Sequence, residues 1–305
     1  MTTQKVKKPT KKEVIAERIK EARAYLAENH FQKWGQLTNT DALDGMRSLP
    51  DVCIDSVITD PPYGVQMAEW DGEVPGVVIW QECFRVMMPG AYAVVAAAPR
   101  TFHQTAAAME KAGFIVKDQL VWRYTQSFPG SSNLGGEWRS GLKTNQEPWV
   151  IAQKPIEKGL SLRENWEIYN VGGVRVGEVG GGGWKTNVID CKKPNDEERD
   201  FGVESGKVYE MPERQSSGGW SNSEKLVNSH PTVKPLGLMR AIVRRFTPDK
   251  SIVMDPFMGS GSTLIAAAAE GHSLVGFDLN YGYWDLACDR INYALDNPHL
   301  VPPPV

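Results

Sequence analysis

The 305-residue sequence has no apolar run approaching the ~20 residues needed to span a bilayer. Its first twelve residues are polar and lysine-rich, with no apolar stretch of signal type. A cytoplasmic protein with no membrane partner is therefore expected. The four cysteines, Cys53, Cys83, Cys191 and Cys288, form no close pair, and no Cys/His cluster has metal-ligand spacing. Free, buried thiols and no metal site are the expectation. The formal net charge is only −3, so the overall balance gives nucleic-acid binding no help. No internal repeat is present.

The 41% hydrophobic content can supply the core of one large domain with an insert, or of two domains. Charge is uneven along the chain. Residues 1–30 carry eight Lys/Arg against four Asp/Glu, and residues 230–250 carry five Lys/Arg against Asp249 alone. Such patches contact phosphates even on an acidic protein, although charge alone equally fits a solvated helix face.

Hydrophobic spacing separates the chain into segments. Ile15, Ile19, Ala22 and Leu26 recur at helical spacing and predict a helix over 12–30. A short strand is expected at 34–38, a helix at 42–49 and a strand at 56–59. A helix over 77–88 should stop at Pro89-Gly90, before a continuous apolar strand at 91–97 of the kind buried on both faces. A helix at 101–112 and strands at 114–124 and 149–152 follow. This alternation predicts an α/β fold with a Rossmann-like, doubly wound, mostly parallel sheet. From 154 to 228 no period is sustained, glycines cluster at Gly172-Gly173 and at 180–183, and a loop-rich insert is expected. Regular spacing returns with a helix at 236–246, a strand at 251–255, a helix at 262–270, a strand at 273–278 and a helix at 284–295. Residues 298–305 hold four prolines and are expected to be disordered.

Two short motifs carry the chemistry. Asp60-Pro61-Pro62-Tyr63 and Asp255-Pro256-Phe257-Met258-Gly259-Ser260-Gly261-Ser262 each follow a buried-strand pattern and read as a carboxylate followed by a tight turn. In open α/β sheets ligands bind at the carboxyl ends of strands. The Gly259-Ser260-Gly261 turn lets a ligand approach the backbone at a helix N-terminus that favours an anion. It lacks the lysine of a P-loop, and position 264 is Leu where the dinucleotide fingerprint needs a third glycine. Asp278 closes the next strand, where a ribose-binding acid is expected. Together these favour a nucleoside cofactor whose anionic group is a carboxylate. In the first motif, the carboxylate of Asp60 and the carbonyl of Pro61 can both accept from one amino group. The prolines stiffen the turn, and Tyr63 offers a face for an extruded base.

The ordered set of motifs resembles the DNA amino-methyltransferases of the permuted (β) class, in which the catalytic motif precedes the cofactor motif. The likeness extends over most of residues 36–290. It includes the stretch 37–43, Ser127-Phe128-Pro129, Gln146-Glu147-Pro148-Trp149 with the strand that follows, and His230-Pro231-Thr232-Val233-Lys234-Pro235. Gly276-Phe277-Asp278 stands where the family usually has Gly-x-Glu, one methylene longer.

The resemblance implies S-adenosylmethionine as cofactor and double-stranded DNA as substrate. It leaves open a homodimer and a restriction endonuclease partner. It implies that Asp255, Phe257, Gly259, Gly261 and Ser262 line the methionine end of the cofactor, that Lys234 faces its carboxylate, that Asp278 binds the ribose and that Asp41 binds the adenine ring. The resemblance likewise implies that Asp60, Pro61, Pro62 and Tyr63 are the catalytic set. For each acid and for Lys234 a helix cap, a turn acid or a surface charge is the plainer alternative. The implied organisation is a basic arm and helix (1–30), a catalytic half (31–153), a target-recognition insert (154–228), a cofactor half (229–297) and the tail (298–305). The insert holds 11 basic and 13 acidic side chains, so it is not a basic clamp.

Asp at position 60 is associated with adenine-N6 methylation, where cytosine-N4 enzymes carry Ser. Cytosine-N4 transfer remains the alternative, followed by an RNA or protein methyltransferase and by an inactive DNA-binding relative. Cytosine-C5 chemistry calls for a nucleophilic cysteine, usually after proline. None of the four cysteines follows one.

Overall fold

The structure is a computed structural model that describes residues 9–29, 35–66, 71–127, 131–177, 185–204, 206–210, 227–228 and 230–305. Residues 1–8 of the lysine-rich arm, Phe128-Pro129 and the glycines at 180–183 lie outside the described residues.

The elements run α1 (Lys11–Asn29), β1 (Gly35–Asn39), α2 (Ala42–Arg47), β2 (Ile54–Thr59), α3 (Val77–Val86), β3 (Met87–Ala96), α4 (Phe102–Lys111) and β4 (Ile115–Arg123). A small hairpin of β5 (Asn133–Gly135) and β6 (Trp138–Arg139) precedes β7 (Gln146–Gln153), α5 (Leu162–Tyr169), β8 (Val188–Asp190) and α6 (Asp196–Arg199). The chain closes with α7 (Leu236–Phe246), β9 (Ile252–Asp255), α8 (Ser262–Ala269), β10 (Ser273–Asp278), α9 (Tyr281–Asp296) and a 3-10 turn at Pro298–Leu300.

Eight strands form one sheet in the order β1-β10-β9-β2-β3-β7-β4-β8. All pairings are parallel except those of β7, which runs antiparallel to both β3 and β4. Alternation along the strands feeds two cores. Ile58, Val94 and Val253 pack with α7, α8 and α9 on one face. Val57, Val95 and Met254 pack with α1, α2, α3 and α4 on the other. The α1 stripe behaves as its spacing requires: Ile15, Ala22 and Leu26 are buried and Ile19 packs beside them.

Three segments depart from the sequence expectation. The strand β3 begins at Met87, ahead of Pro89-Gly90. Met87 and Met88 are fully buried, Met87 pairs with Ile54, and Gly90 (φ +90°) accommodates the turn within the strand. A Cβ on Gly90 would lie 2.5 Å from the amide nitrogen of Asn165, which donates to the carbonyl of Pro89. Over its described residues, the stretch 154–228 is tied into the domain. Its β8 is the edge strand beside β4, its α5 packs on β3, and Lys11 and Lys12 of α1 pair with Glu157 and Glu164.

The tail is the third correction. Residues 298–305, expected to be disordered, lie along α7. Arg240 Nη1 donates to the carbonyls of Val301 and Pro302 at 2.9 Å, Val305 N donates to Gly237 O, and Val301 is buried. Proline lacks an N–H, so the backbone needs of this segment fall mainly on its carbonyls, two of which Arg240 meets.

Candidate active site

Four neighbouring strands, β1, β10, β9 and β2, each deliver a carboxylate at the same edge of the sheet. Asp278 and Asp255 end β10 and β9, Asp60 follows β2, and Asp41 stands two residues beyond β1. A cleft of about 390 Å³ opens at this edge. Asp41, Asp60, Pro62, His230, Phe257, Gly259, Asp278, Asn280 and Tyr283 are among its walls. The strand-end rule thus brings the two motifs, 195 residues apart in sequence, to one cleft.

The turn after β9 is held from below and from the side. Asp255 is buried and does not line the cleft. It accepts from Thr59 Oγ1 at 2.6 Å and from Phe257 N at 3.1 Å, tying β2 to β9, and burial pushes it up to about 6 in spite of those hydrogen bonds. Asp278 accepts from Gly259 N at 2.9 Å and Asn280 N at 2.8 Å, and burial pushes it up to about 7. Gly259 (φ +49°) and Gly261 (φ +83°) are left-handed, and a Cβ on Gly259 would lie 2.7 Å from His230 Nε2. His230 packs edge-on against Tyr283 at 4.6 Å. Gly261 gives α8 no side-chain cap, and the Ser262 hydroxyl is buried without a hydrogen-bond partner among the described residues. Asp41 caps α2 through Leu43 N (2.8 Å) and Asp44 N (3.4 Å) while forming part of the cleft wall.

Beyond the rim lies a buried charge cluster. Lys234 Nζ is 2.5 Å from Asp60 Oδ2 and 3.5 Å from Glu147 Oε1. The Tyr63 hydroxyl donates to Asp60 Oδ1, and its ring lies 5.5 Å beneath the Lys234 ammonium. Burial opposes charge on Lys234, but Asp60 and then Glu147 outweigh it and hold the ammonium above the ordinary lysine range. Burial, followed by the charges of Asp60 and Glu147, raises the Tyr63 phenol. Burial pushes Glu147 up to about 7, the nearby Lys234 only partly opposing it. Glu147 Oε1 is within ion-pair range of Lys234 but makes no aligned hydrogen bond among the described residues.

The model of the DNA methylase family matches residues 54–289, more than half of the chain. The chain belongs to this N6/N4 DNA methylase family. Among curated relatives it is similar to the type II methyltransferase M.HindIII of Haemophilus influenzae, 23% identical over 85% of this chain and 96% of that one. It is also similar to the DNA adenine methyltransferase YhdJ of Escherichia coli, 23% identical over 83% and 81% of the two chains. The fold is that of solved methyltransferases. The M1.HpyAVI–SAM complex superposes with a TM-score of 0.53 at 21% identity, covering 84% of this chain and 98% of that one. The cytosine-N4-specific PvuII DNA methyltransferase does so with 0.57 at 14% identity, covering 90% and 95%.

The methylase uses S-adenosylmethionine, and this chain's residues fit it. The cleft has room, the turn leaves no space for a Cβ at 259, the α8 N-terminus is uncapped, and the Ser262 hydroxyl lacks a partner. Phe257, Gly259, Asp278 and Asp41 stand on the cleft wall, whereas Asp255, Gly261 and Ser262 are not among its lining residues. Lys234 differs most from expectation. The structure places it on Asp60 and Glu147, away from the cleft wall, so the catalytic turn supplies its counter-ions.

Two residues of the methylase site carried no role in the sequence reading. Glu147 belonged to a recognised stretch, but nothing local tied it to Asp60. Asp71 is buried, and its carboxylate accepts from Tyr63 N at 2.5 Å, Gly64 N at 2.8 Å and Val65 N at 3.3 Å, which shapes the turn after Asp60. A carboxylate collecting successive N–H groups from a turn has no sequence signal beyond being an Asp downstream.

Proposed function

We propose that this methylase transfers a methyl group from S-adenosylmethionine to the N6 amine of adenine in duplex DNA. The observation that carries the reading is the shared cleft, whose walls include Asp60 and Pro62 of the catalytic turn together with Phe257 and Gly259 of the cofactor turn. When bound, the cofactor supplies an electrophilic methyl group. The protein's task is to present the amine.

An exocyclic amine is a poor nucleophile because its lone pair is delocalised into the ring. Asp60 and the Pro61 carbonyl accept its two N–H groups and localise that pair. Each carboxylate oxygen has two acceptor sites, so Asp60 can take the amine while keeping Tyr63 and Lys234. Those two partners fix its orientation, and orientation supplies a large share of such acceleration. The Tyr63 hydroxyl donates to Asp60, and the charge of Glu147 acts on the same phenol. Glu147, 3.5 Å from the Lys234 ammonium, is a second carboxylate balancing the charge behind Asp60. The target leaves the duplex stack to reach Asp60.

Asp at 60 favours adenine, as does similarity to an E. coli relative named as an adenine methyltransferase. Residues 154–228 are proposed to contribute to target recognition. A cytoplasmic location belongs to the same reading, which leaves a homodimer and a restriction endonuclease partner open. Among the described residues no helix is long and apolar enough to cross a membrane.

The test is transfer of tritium from labelled S-adenosylmethionine to unmethylated duplex DNA, followed by single-molecule sequencing. N6-methyladenine at one sequence context, lost in Asp60→Ala, is the expected result. N4-methylcytosine would assign the alternative base, and label in RNA or protein would overturn the reading.

A further inference from the structure

Between the end of β4 and the start of β7, at the catalytic edge of the sheet, the chain leaves the core as a ribbon. Its strands β5 and β6 pair Asn133 with Arg139 and Gly135 with Trp138, Ser140 N donates to Ser132 O, Arg139 Nη1 donates to Asn133 Oδ1 at 2.7 Å, and the turn has Gly135 at φ +108° and Gly136 at φ +54°. Every residue from 132 to 146 is exposed. Leu134 is 66% exposed, Trp138 74% and Leu142 94%. Isolated two-stranded hairpins are at best marginally stable in water, and large apolar side chains grouped on one are a mark of an interaction site.

The root of the ribbon points to the partner. Tyr124 N donates to Asn145 O, and two residues further on Glu147 lies against Lys234 and therefore beside Asp60. The ribbon stands next to the place where a target base must enter. Its charged side chains are Arg139 and Lys143 against Glu137, so it meets a polyanion favourably.

We propose that residues 131–145 form a DNA-contacting arm, in which Trp138 and Leu142 pack into the base stack around the extruded target and Arg139 and Lys143 meet the flanking phosphates. The assignment rests on the DNA-methylating function proposed above. A two-stranded ribbon fits the major groove, and apolar side chains wedged at an opened step stabilise DNA from which a base has been removed. Its position relative to the chemistry distinguishes it from residues 154–228. The arm adjoins the catalytic turn and acts on base extrusion, leaving sequence reading to other surfaces.

The experiment compares the parent protein with Trp138→Ala, Leu142→Ala and the double variant Arg139→Ala/Lys143→Ala. The probe is unmethylated amplified duplex DNA carrying the site that sequencing reports. Unchanged S-adenosylmethionine affinity verifies that the domain is folded, and because Arg139 Nη1 also donates to Asn133 Oδ1 at 2.7 Å and Trp138 O at 2.9 Å within the ribbon, Lys143→Ala alone, expected to flatten the salt dependence by about 1, separates phosphate contact from loss of those bonds. Expected is a fall of about 5- to 150-fold in kcat/KM for DNA with Trp138→Ala, the range of one aromatic–base stack. The deficit should shrink when the target adenine is mispaired, since extrusion then costs less. For Arg139→Ala/Lys143→Ala the salt dependence of binding should flatten by about 2 in log–log slope. Normal transfer by all variants, with unchanged salt slope, overturns the arm alone. No transfer by the parent overturns the function and the arm with it. A parent dimer that Trp138→Ala converts to monomer at unchanged DNA affinity also overturns the proposal, because the occupant would then be a second copy of this chain.

Discussion

Lys234, just ahead of α7, and Asp60, just past β2, meet at 2.5 Å across 174 residues of sequence. The pair joins the helix of the cofactor half to the catalytic turn. It leads to a prediction that separates two roles for the lysine. Lys234→Met should lower the turnover rate by at least about 100-fold, because an oriented, charge-assisted contact to Asp60 is lost. S-adenosylmethionine affinity should change little, because Lys234 is not on the cleft wall. Single-turnover rates and calorimetric cofactor titration check this. A selective loss of cofactor affinity would return Lys234 to the cofactor's carboxylate.

Glu147 makes the site sensitive to pH. Its folded value, about 7, stands above the ordinary 4.5, mainly through burial. An acid raised in this way takes up a proton on folding, so its contribution to stability is complete below about pH 4.5 and is lost as pH rises through 7. Asp278 at about 7 and Asp255 at about 6 act in the same direction. Glu147→Gln mimics the protonated state. It should match the parent's stability near pH 5 and exceed it at pH 8, by at most about 3 kcal/mol. Urea denaturation at the two pH values measures the difference. A variant less stable than the parent at pH 8 would show that ionised Glu147 is needed as a partner for Lys234.

The cofactor turn is tied to its surroundings by Arg290, which is fully buried on α9. Its Nη1 donates to Ser260 O, Nε to Phe201 O at 2.8 Å and Nη2 to Glu198 O at 3.3 Å. Removing it strands carbonyls on both the turn and the α6 region. Arg290→Met should cost about 3 kcal/mol or more of stability and weaken S-adenosylmethionine binding, while Gly259→Ala should cost about 1–3 kcal/mol through its left-handed backbone and weaken it too. Thermal unfolding with and without cofactor tests both. Cofactor affinity unchanged in either variant would mean that the turn does not hold the cofactor.

Much of the frame was legible because it depends on local periodicity. The α1 stripe, the apolar run of β3 and the acids at strand ends are all written within a few residues. The antiparallel course of β7 was not, since a continuous apolar run such as 148–152 reads alike in either direction. The start of β3 was hidden because Met87 and Met88 suit helix and strand equally. The site divided in the same way. Asp60, Gly259 and Asp278 sit in recognisable turns, whereas the partners of Lys234 depend on how distant strands are ordered. The sequence analysis gave that ammonium the cofactor's carboxylate or a place as a surface charge, and only the fold brings Asp60 and Glu147 to it.

The remaining prediction concerns Tyr63. Its place in the motif suggested a stacking face, and the structure adds a hydroxyl bonded to Asp60 and a ring beneath Lys234. These roles separate in two variants. Tyr63→Phe keeps the ring and deletes the hydroxyl. It should lower the turnover rate by about tenfold, in keeping with loss of one hydrogen bond to a carboxylate of about 1.5 kcal/mol, and leave duplex affinity unchanged. Tyr63→Ala also removes the face for an extruded base and should add a loss in the Michaelis constant for DNA, about 1–3 kcal/mol for one stacked base. A fluorescent adenine analogue at the target position reports extrusion directly. Tyr63→Phe should give the parent's signal and Tyr63→Ala a diminished one. Equal signals from all three proteins, each folded and cofactor-bound, would confine Tyr63 to holding Asp60. Tyr63→Phe as slow as Asp60→Ala would instead make the hydroxyl's bond to Asp60 indispensable to the chemistry.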